Sequence, residues 1–124
     1  MKLALDTNAI IDFLKQKPGA IDLVPLIAEY ECFVSVITKL ELLKYPEITL
    51  HEEEIILDFL QVIPIMPLNS DIEAETIAIS RATKLKLPDA IIGATAIVYG
   101  AEVVSSDLHF LRCEYPSLQI WQSV

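Results

Sequence analysis

The sequence predicts an α/β fold: a single-domain, three-layer α/β/α arrangement around a short central parallel sheet. Three observations carry this. Short apolar runs of strand length alternate along the chain with longer stretches of helical periodicity, the pattern of a parallel sheet with helices on both faces. The length of 124 residues suits one domain, taken as 1–124. The apolar fraction of 53% exceeds the usual ~45–50%, as a sheet covered on both faces or a hydrophobic subunit interface requires.

The elements follow in order. Residues 2–6 read as a short buried strand. Residues 7–15 form a helix on the cluster Ile10, Ile11, Phe13 and Leu14, ended by Pro18-Gly19. Residues 21–29 are a second helix with Leu23, Leu26 and Ile27 inward, and 32–35 a second strand. A helix over 36–44 is expected to turn Val36, Leu40 and Leu43 to one face, and Pro46 closes it. Thr49-Leu-His-Glu52 has the spacing of a capping box and opens a helix to about residue 60. Residues 62–65 read as an edge strand, because Pro64 has no N–H to give a central ladder. Ser70-Asp-Ile-Glu73 is a second capping-box pattern, opening a helix to about residue 85. Pro88 suits the first position of a helix that runs to Tyr99 and stops at Gly100. A strand over 102–105, a short helical turn over 107–111 and a last strand over 118–121 complete the pattern.

Composition excludes several classes. Such a domain buries roughly two-thirds of its unfolded surface, so disorder is not expected. The longest apolar stretch, residues 90–101, falls short of the ~20 residues that span a bilayer. Lys2 is followed by only three apolar residues before Asp6, which is no secretory leader. Cys32 and Cys113 lie far apart, outside any metal-type spacing, and read as small buried hydrophobes. A soluble cytoplasmic protein is expected. Only three glycines occur and no Gly-rich phosphate loop, which argues against nucleotide cofactors. The formal charge of −9 argues against gripping nucleic acid by bulk attraction, so such activity needs a local site or a cation. It also suits a basic partner.

In open parallel sheets, ligands bind beyond the carboxyl ends of the strands where strand order reverses. The residues just after each strand are therefore the ones to interrogate. Asp6 ends the first strand and Asp107 follows the fourth. Asp89 lies in the first turn of an almost wholly apolar helix, and Glu41 lies mid-helix after the second strand. Each has a plain structural use: Asp6 and Asp107 as helix N-caps, Asp89 as a complement to a helix dipole, Glu41 as a partner for Lys44. Asp89 fits its plain use least, since a carboxylate at the mouth of a buried helix wants a donor or a cation. If the sheet forms, Asp6 and Asp107 converge at one edge, a helix starting beside them brings Asp89 close, and the helix after the second strand could bring Glu41. Four carboxylates in one pocket repel, so some take protons or a cation sits among them. Oxygen ligands without His or Cys suit hard ions, Mg²⁺ or Mn²⁺, which assist phosphodiester cleavage.

Four segments then match a known family in its order: Leu5-Asp6-Thr7-Asn8, Ser35-Val-Ile-Thr38-Lys-Leu-Glu41-Leu, Leu87-Pro-Asp89-Ala-Ile-Ile-Gly-Ala-Thr-Ala, and Val104-Ser-Ser-Asp107-Leu-His-Phe110. The chain resembles the PIN domain, most closely the VapC-like toxin ribonucleases of toxin–antitoxin modules. The resemblance implies a Mg²⁺- or Mn²⁺-dependent endoribonuclease acting on RNA and leaving a 5′-phosphate. Asp6, Glu41, Asp89 and Asp107 correspond to the acidic quartet, with metal held chiefly by Asp6, Asp89 and Asp107 and by Glu41 directly or through water. Asn8 and Ser105 match the small polar positions that orient the quartet. The resemblance also implies a homodimer and a cognate antitoxin.

Other functions fit less well. A response-regulator receiver wants paired acids after the first strand, an Asp ending the third and a late Lys; here Thr7 follows Asp6, Met66-Pro67 ends the third strand, and Lys86 is the last lysine. A haloacid-type phosphatase needs an Asp where Asn8 stands. A catalytically inert PIN-like binding module remains as the second reading. Arg81, Lys84 and Lys86 precede Asp89 and are candidate RNA contacts, although cations also complement a helix C-terminus; Lys39 is a weaker candidate. His109 has no recognisable base partner in the sequence and receives no catalytic role. Asp12 reads as solvated, and Trp121 as core or interface.

Overall fold

The computed structural model describes residues 1–122. Its elements are β1 (Lys2–Leu5), α1 (Thr7–Leu14), α2 (Leu23–Glu29), β2 (Glu31–Ser35), α3 (Val36–Leu43), α4 (Leu50–Val62), β3 (Ile65–Met66), α5 (Ser70–Ala82), α6 (Leu87–Val98), β4 (Glu102–Val104) and α7 (Leu108–Leu111). The four strands form one parallel sheet in the order β3-β2-β1-β4.

Successive strand side chains point to opposite faces, and here both faces are covered. Leu3 and Leu5 of β1, Cys32 and Val34 of β2, and Val104 of β4 enter one core with Ile10, Leu23, Leu26, Leu42 and Leu60 of α1 to α4. Their strand neighbours Ala4, Phe33 and Val103 enter a second core with Ile72 and Ile79 of α5, Ala90, Ile92, Ala94 and Ala96 of α6, and Phe110 of α7. This is the expected α/β/α arrangement. No helix of the described residues is long and apolar enough to cross a membrane.

Several local expectations need correction. The helix over 70–82 is capped by Asn69, whose side chain accepts from the Ile72 amide at 2.9 Å, so Ser70 is the first helical residue and no capping box forms there. The Asx side chain one residue earlier caps the Ile72 amide instead, and the Glu73 amide is taken by the Asn69 carbonyl at 2.9 Å. The box at Thr49 does form, with Thr49 and Glu52 bonded reciprocally at 3.1 Å. Helix α4 runs on to Val62, leaving Ile65–Met66 as the strand. It is an edge strand as Pro64 implied, and the Pro64 carbonyl accepts from the Val34 amide. The last strand reduces to one parallel bridge, Ile120 with Val103. In α3 the buried residues are Thr38 and Leu42, whereas Leu40 is 56% exposed. The helix is turned so that Thr38 reaches Thr7. Cys113 is only half-buried, while Cys32 is buried.

Helix α6 fixes what the sheet's end looks like. Residues 90–96 are all buried. Its small residues let it lie close to the sheet and to α5: a methyl built at Gly93 would meet only side-chain ends, Leu118 at 3.4 Å and Ile79 at 3.6 Å. Gly100, with φ +68°, turns the chain out of α6 into β4. Because α6 runs back antiparallel to the strand that follows it, its first turn, carrying Asp89, lies at the carboxyl ends of the strands.

A candidate acidic active site at the switch point

Strand β1 has β2 on one side and β4 on the other, so the connections leave it in opposite directions. That reversal is the switch point at which open sheets build sites. Asp6 follows β1 and Ser105 to Asp107 follow β4. The ladder continues one residue past the strand, with the Asp6 amide donating to the Val104 carbonyl at 3.0 Å. This bond holds the two loop starts together although Asp6 and Val104 lie 98 positions apart in the chain.

Asp6 occupies the N-cap position of α1, yet its carboxylate makes no cap bond. It accepts instead from Ser105 Oγ at 2.6 Å. The side chain is 2% exposed, and burial raises its pKa from 3.8 to about 6, against the Ser105 hydrogen bond and with the nearby charges of Asp89 and Asp107. A helix cap would be solvated and donor-rich; this group is dry and crowded by its own kind.

Ser105 serves two acids, since its Oγ also accepts from the Asp107 amide at 3.0 Å. Asp107 does cap α7, through the His109 amide at 2.9 Å. Its second oxygen faces Asn8 Nδ2 at 3.4 Å. The capping reading and the site reading of Asp107 therefore coexist. His109 Nδ1 lies 2.9 Å from Asp107 Oδ1, a partner the sequence did not reveal because they are only two residues apart and need the cap geometry to meet.

Glu41 is half-buried and forms no ion pair with Lys44. Its Oε1 accepts from Thr7 Oγ1 at 2.7 Å, and Thr7 Oγ1 lies 3.1 Å from Thr38 Oγ1. Thr7 and Thr38 are buried residues that sequence reasoning missed as site residues. Both lie within quoted motifs, one beside Asp6 and one a turn before Glu41. The Asp89 pKa is raised by burial and by the charges of Asp107 and Glu41, offset in part by His109 and Lys86. Asp6, Thr7, Asn8, Glu41, Lys44 and Asp89 line one cleft of about 90 Å³, room for about three waters.

Of the basic candidates, Lys86 is the N-cap residue of α6, three residues before Asp89. Arg81 lies in the last turn of α5, as the dipole reading expects, and Lys84 just beyond it. Lys39 is half-buried on α3, whereas Arg81, Lys84 and Lys86 are exposed. Asp12 is joined to Lys17 at 3.9 Å.

The donor set suits a hard cation: all oxygen, mutually repelling, and without a Lys or Arg ion pair among the described residues. As the side chains stand, no group of three or more His, Cys, Asp or Glu among the described residues is arranged to grip a metal ion.

Fold and site together define a small three-layer α/β protein with an acidic centre at the switch point of its sheet. The chain belongs to the PIN-domain family, a family of nucleases: the PIN domain model matches residues 3–114. No curated protein matches it in sequence. Among solved structures it is similar to a toxin-antitoxin complex from Klebsiella pneumoniae, at 28% identity and TM-score 0.76 over 94% of each chain. DNA-bound VapBC from Salmonella typhimurium gives TM-score 0.81 at 24% identity, covering 98% of this chain and 97% of that one. VapBC-1 from nontypeable Haemophilus influenzae gives 0.80 at 20%, with the same coverage. The last two likenesses speak to the fold alone.

Proposed function

We propose that the protein is a Mg²⁺- or Mn²⁺-dependent endoribonuclease, the toxin of a toxin–antitoxin pair, acting in the cytoplasm as a single-domain subunit of a homodimer. The observation that carries this is Asp6, buried and pressed by the charges of Asp89 and Asp107, with Ser105 as its side-chain donor. Such a group is poised to exchange its proton for a cation.

Asp6, Asp89 and Asp107 hold the ion, with Glu41 directly or through water. When bound, a hard divalent cation lowers the pKa of water and offsets charge building on a phosphodiester. The chain's own residues do the rest. Ser105 and Asn8 fix the orientation of Asp6 and Asp107. Thr7 holds one oxygen of Glu41, leaving the other free to orient a water. Lys39, Arg81, Lys84 and Lys86 are the proposed phosphate contacts, which a chain of charge −9 needs near its site. Similarity to toxin–antitoxin complexes supports a cognate antitoxin. The exposed apolar side chains Leu40, Tyr45, Leu50 and Val62 on and between α3 and α4 support a face covered by a partner.

The test is incubation of total cellular RNA with Mn²⁺, mapping new 5′-phosphate ends, wild type beside Asp89→Asn. Discrete cuts by the wild type alone are expected. In parallel, Mn²⁺ raises the melting temperature of the wild type and not of the variant, since a ligand at a hundredfold its Kd stabilises by ~2.7 kcal/mol. A Mn²⁺ shift without cuts favours the inert binding module; an equal shift in both proteins removes Asp89 from the site.

A further inference from the structure

A second cleft, of about 550 Å³, opens between the turn after α5 and the α7 segment. Its walls carry Lys84, Leu85, Leu108, His109 and Arg112, with one carboxylate, Glu114. Lys84 and Arg112 are exposed, and neither forms an ion pair among the described residues. Two permanent cations without partners, facing one hollow, are a local exception in a chain of charge −9. The cleft also adjoins the acidic centre through a single side chain, because His109, which lines it, stands 2.9 Å from Asp107 Oδ1.

We infer that this cleft is the groove for the RNA strand next to the cut: Lys84 and Arg112 hold backbone phosphates while Leu85 and Leu108 supply an apolar wall for a base. The inference rests on the nuclease reading and names where its substrate lies. The chemistry follows from the side chains. Arg presents a planar fork to phosphate oxygens and Lys a point charge. Leu108, 55% exposed on α7, offers apolar surface on which a base face can rest. The arrangement also answers the charge problem. The acidic centre repels phosphates until a cation is present, so substrate has to be held beside it rather than on it.

The test is an NMR amide titration of the full chain, in chelator, with a 5′-phosphorylated single-stranded RNA hexamer. Expected are shifts confined largely to residues 83–85 and 108–114. Lys84→Ala/Arg112→Ala, both at exposed positions, keeps the spectrum of a folded protein and weakens binding at least about tenfold. It also lowers the slope of log Kd against log salt by ~1.4, that is ~0.7 for each lost single-strand contact. Absence of shifts in these segments overturns the inference, as does equal affinity and slope in the double variant. Inorganic phosphate binding as tightly as the hexamer overturns it too, since that marks an ion site rather than a strand groove. Cleavage is scored separately. A wild type that binds the hexamer here and cuts no RNA sinks the nuclease reading and leaves the cleft as an RNA-binding groove with no cut beside it. A double variant that binds and cuts like the wild type sinks the groove and leaves the nuclease reading intact.

Discussion

Replacing Asp6 with Asn is expected to stabilise the metal-free protein, and to do so only above acid pH. The pKa of Asp6 is raised from 3.8 to about 6, chiefly by burial. At ~1.4 kcal/mol per tenfold in proton affinity, the folded state carries a cost of about 3 kcal/mol when this carboxyl is charged. The folded protein binds the proton more tightly than the unfolded chain. Stability therefore falls as pH rises from about 4 to about 6, and the full cost is present above that. Asn is neutral throughout, and its side-chain oxygen can still accept from Ser105 Oγ. Urea unfolding of both proteins with chelator present measures the effect, since other carboxyls titrate in both and largely cancel. The variant's advantage should be near zero at about pH 4 and grow by as much as ~3 kcal/mol by about pH 7. A difference that is flat with pH, or that favours the wild type as pH rises, would refute the claim that Asp6 is held at an electrostatic cost.

Three further outcomes follow from local geometry. Thr7→Val removes the donor to Glu41 and should cost roughly 1 kcal/mol in urea unfolding, with a larger loss of Mn²⁺-dependent cleavage that Thr7→Ser restores. Equal cleavage in the valine variant would show that Thr7 does not position Glu41. Gly93→Ala should raise thermal stability by up to ~1 kcal/mol through helix propensity, since its Cβ meets only the ends of Leu118 and Ile79 at 3.4 Å or more; a clear loss of melting temperature would mean that α6 is packed tighter than those distances allow. Thr49→Ala breaks a capping box on an exposed helix end and should cost ~1 kcal/mol in chemical unfolding with RNA cleavage unchanged.

Helix α6 and the box at Thr49 show how much of this molecule was legible in local pattern. Pro88, the apolar run behind it and Gly100 mark a buried helix with its ends, and the structure has it at Leu87–Val98. The edge position of the third strand was legible from Pro64 for the same reason: a missing N–H is a property of one residue. Where local signals competed, the pattern misled. Asn69 and Ser70 both offer cap oxygens, and only the backbone path decides that Asn69 takes the role. Leu40 shares the face expected for Val36, Leu40 and Leu43, yet it is exposed, because α3 turns Thr38 and Leu42 into the interior instead.

The sequence by itself determined the order and type of the elements, the covering of the sheet on both faces, and the placing of Asp6 and Asp107 at strand ends and Asp89 at a helix start. Those follow from residue period, caps and breakers, which act between neighbours a few positions apart. Tertiary structure decided the strand order β3-β2-β1-β4, and with it that Ser105 bonds Asp6, that Thr7 holds Glu41, and that His109 joins a basic cleft to the acidic centre. These pairings depend on which strands lie side by side, and that is set by the packing of two cores against one sheet rather than by any stretch of chain alone.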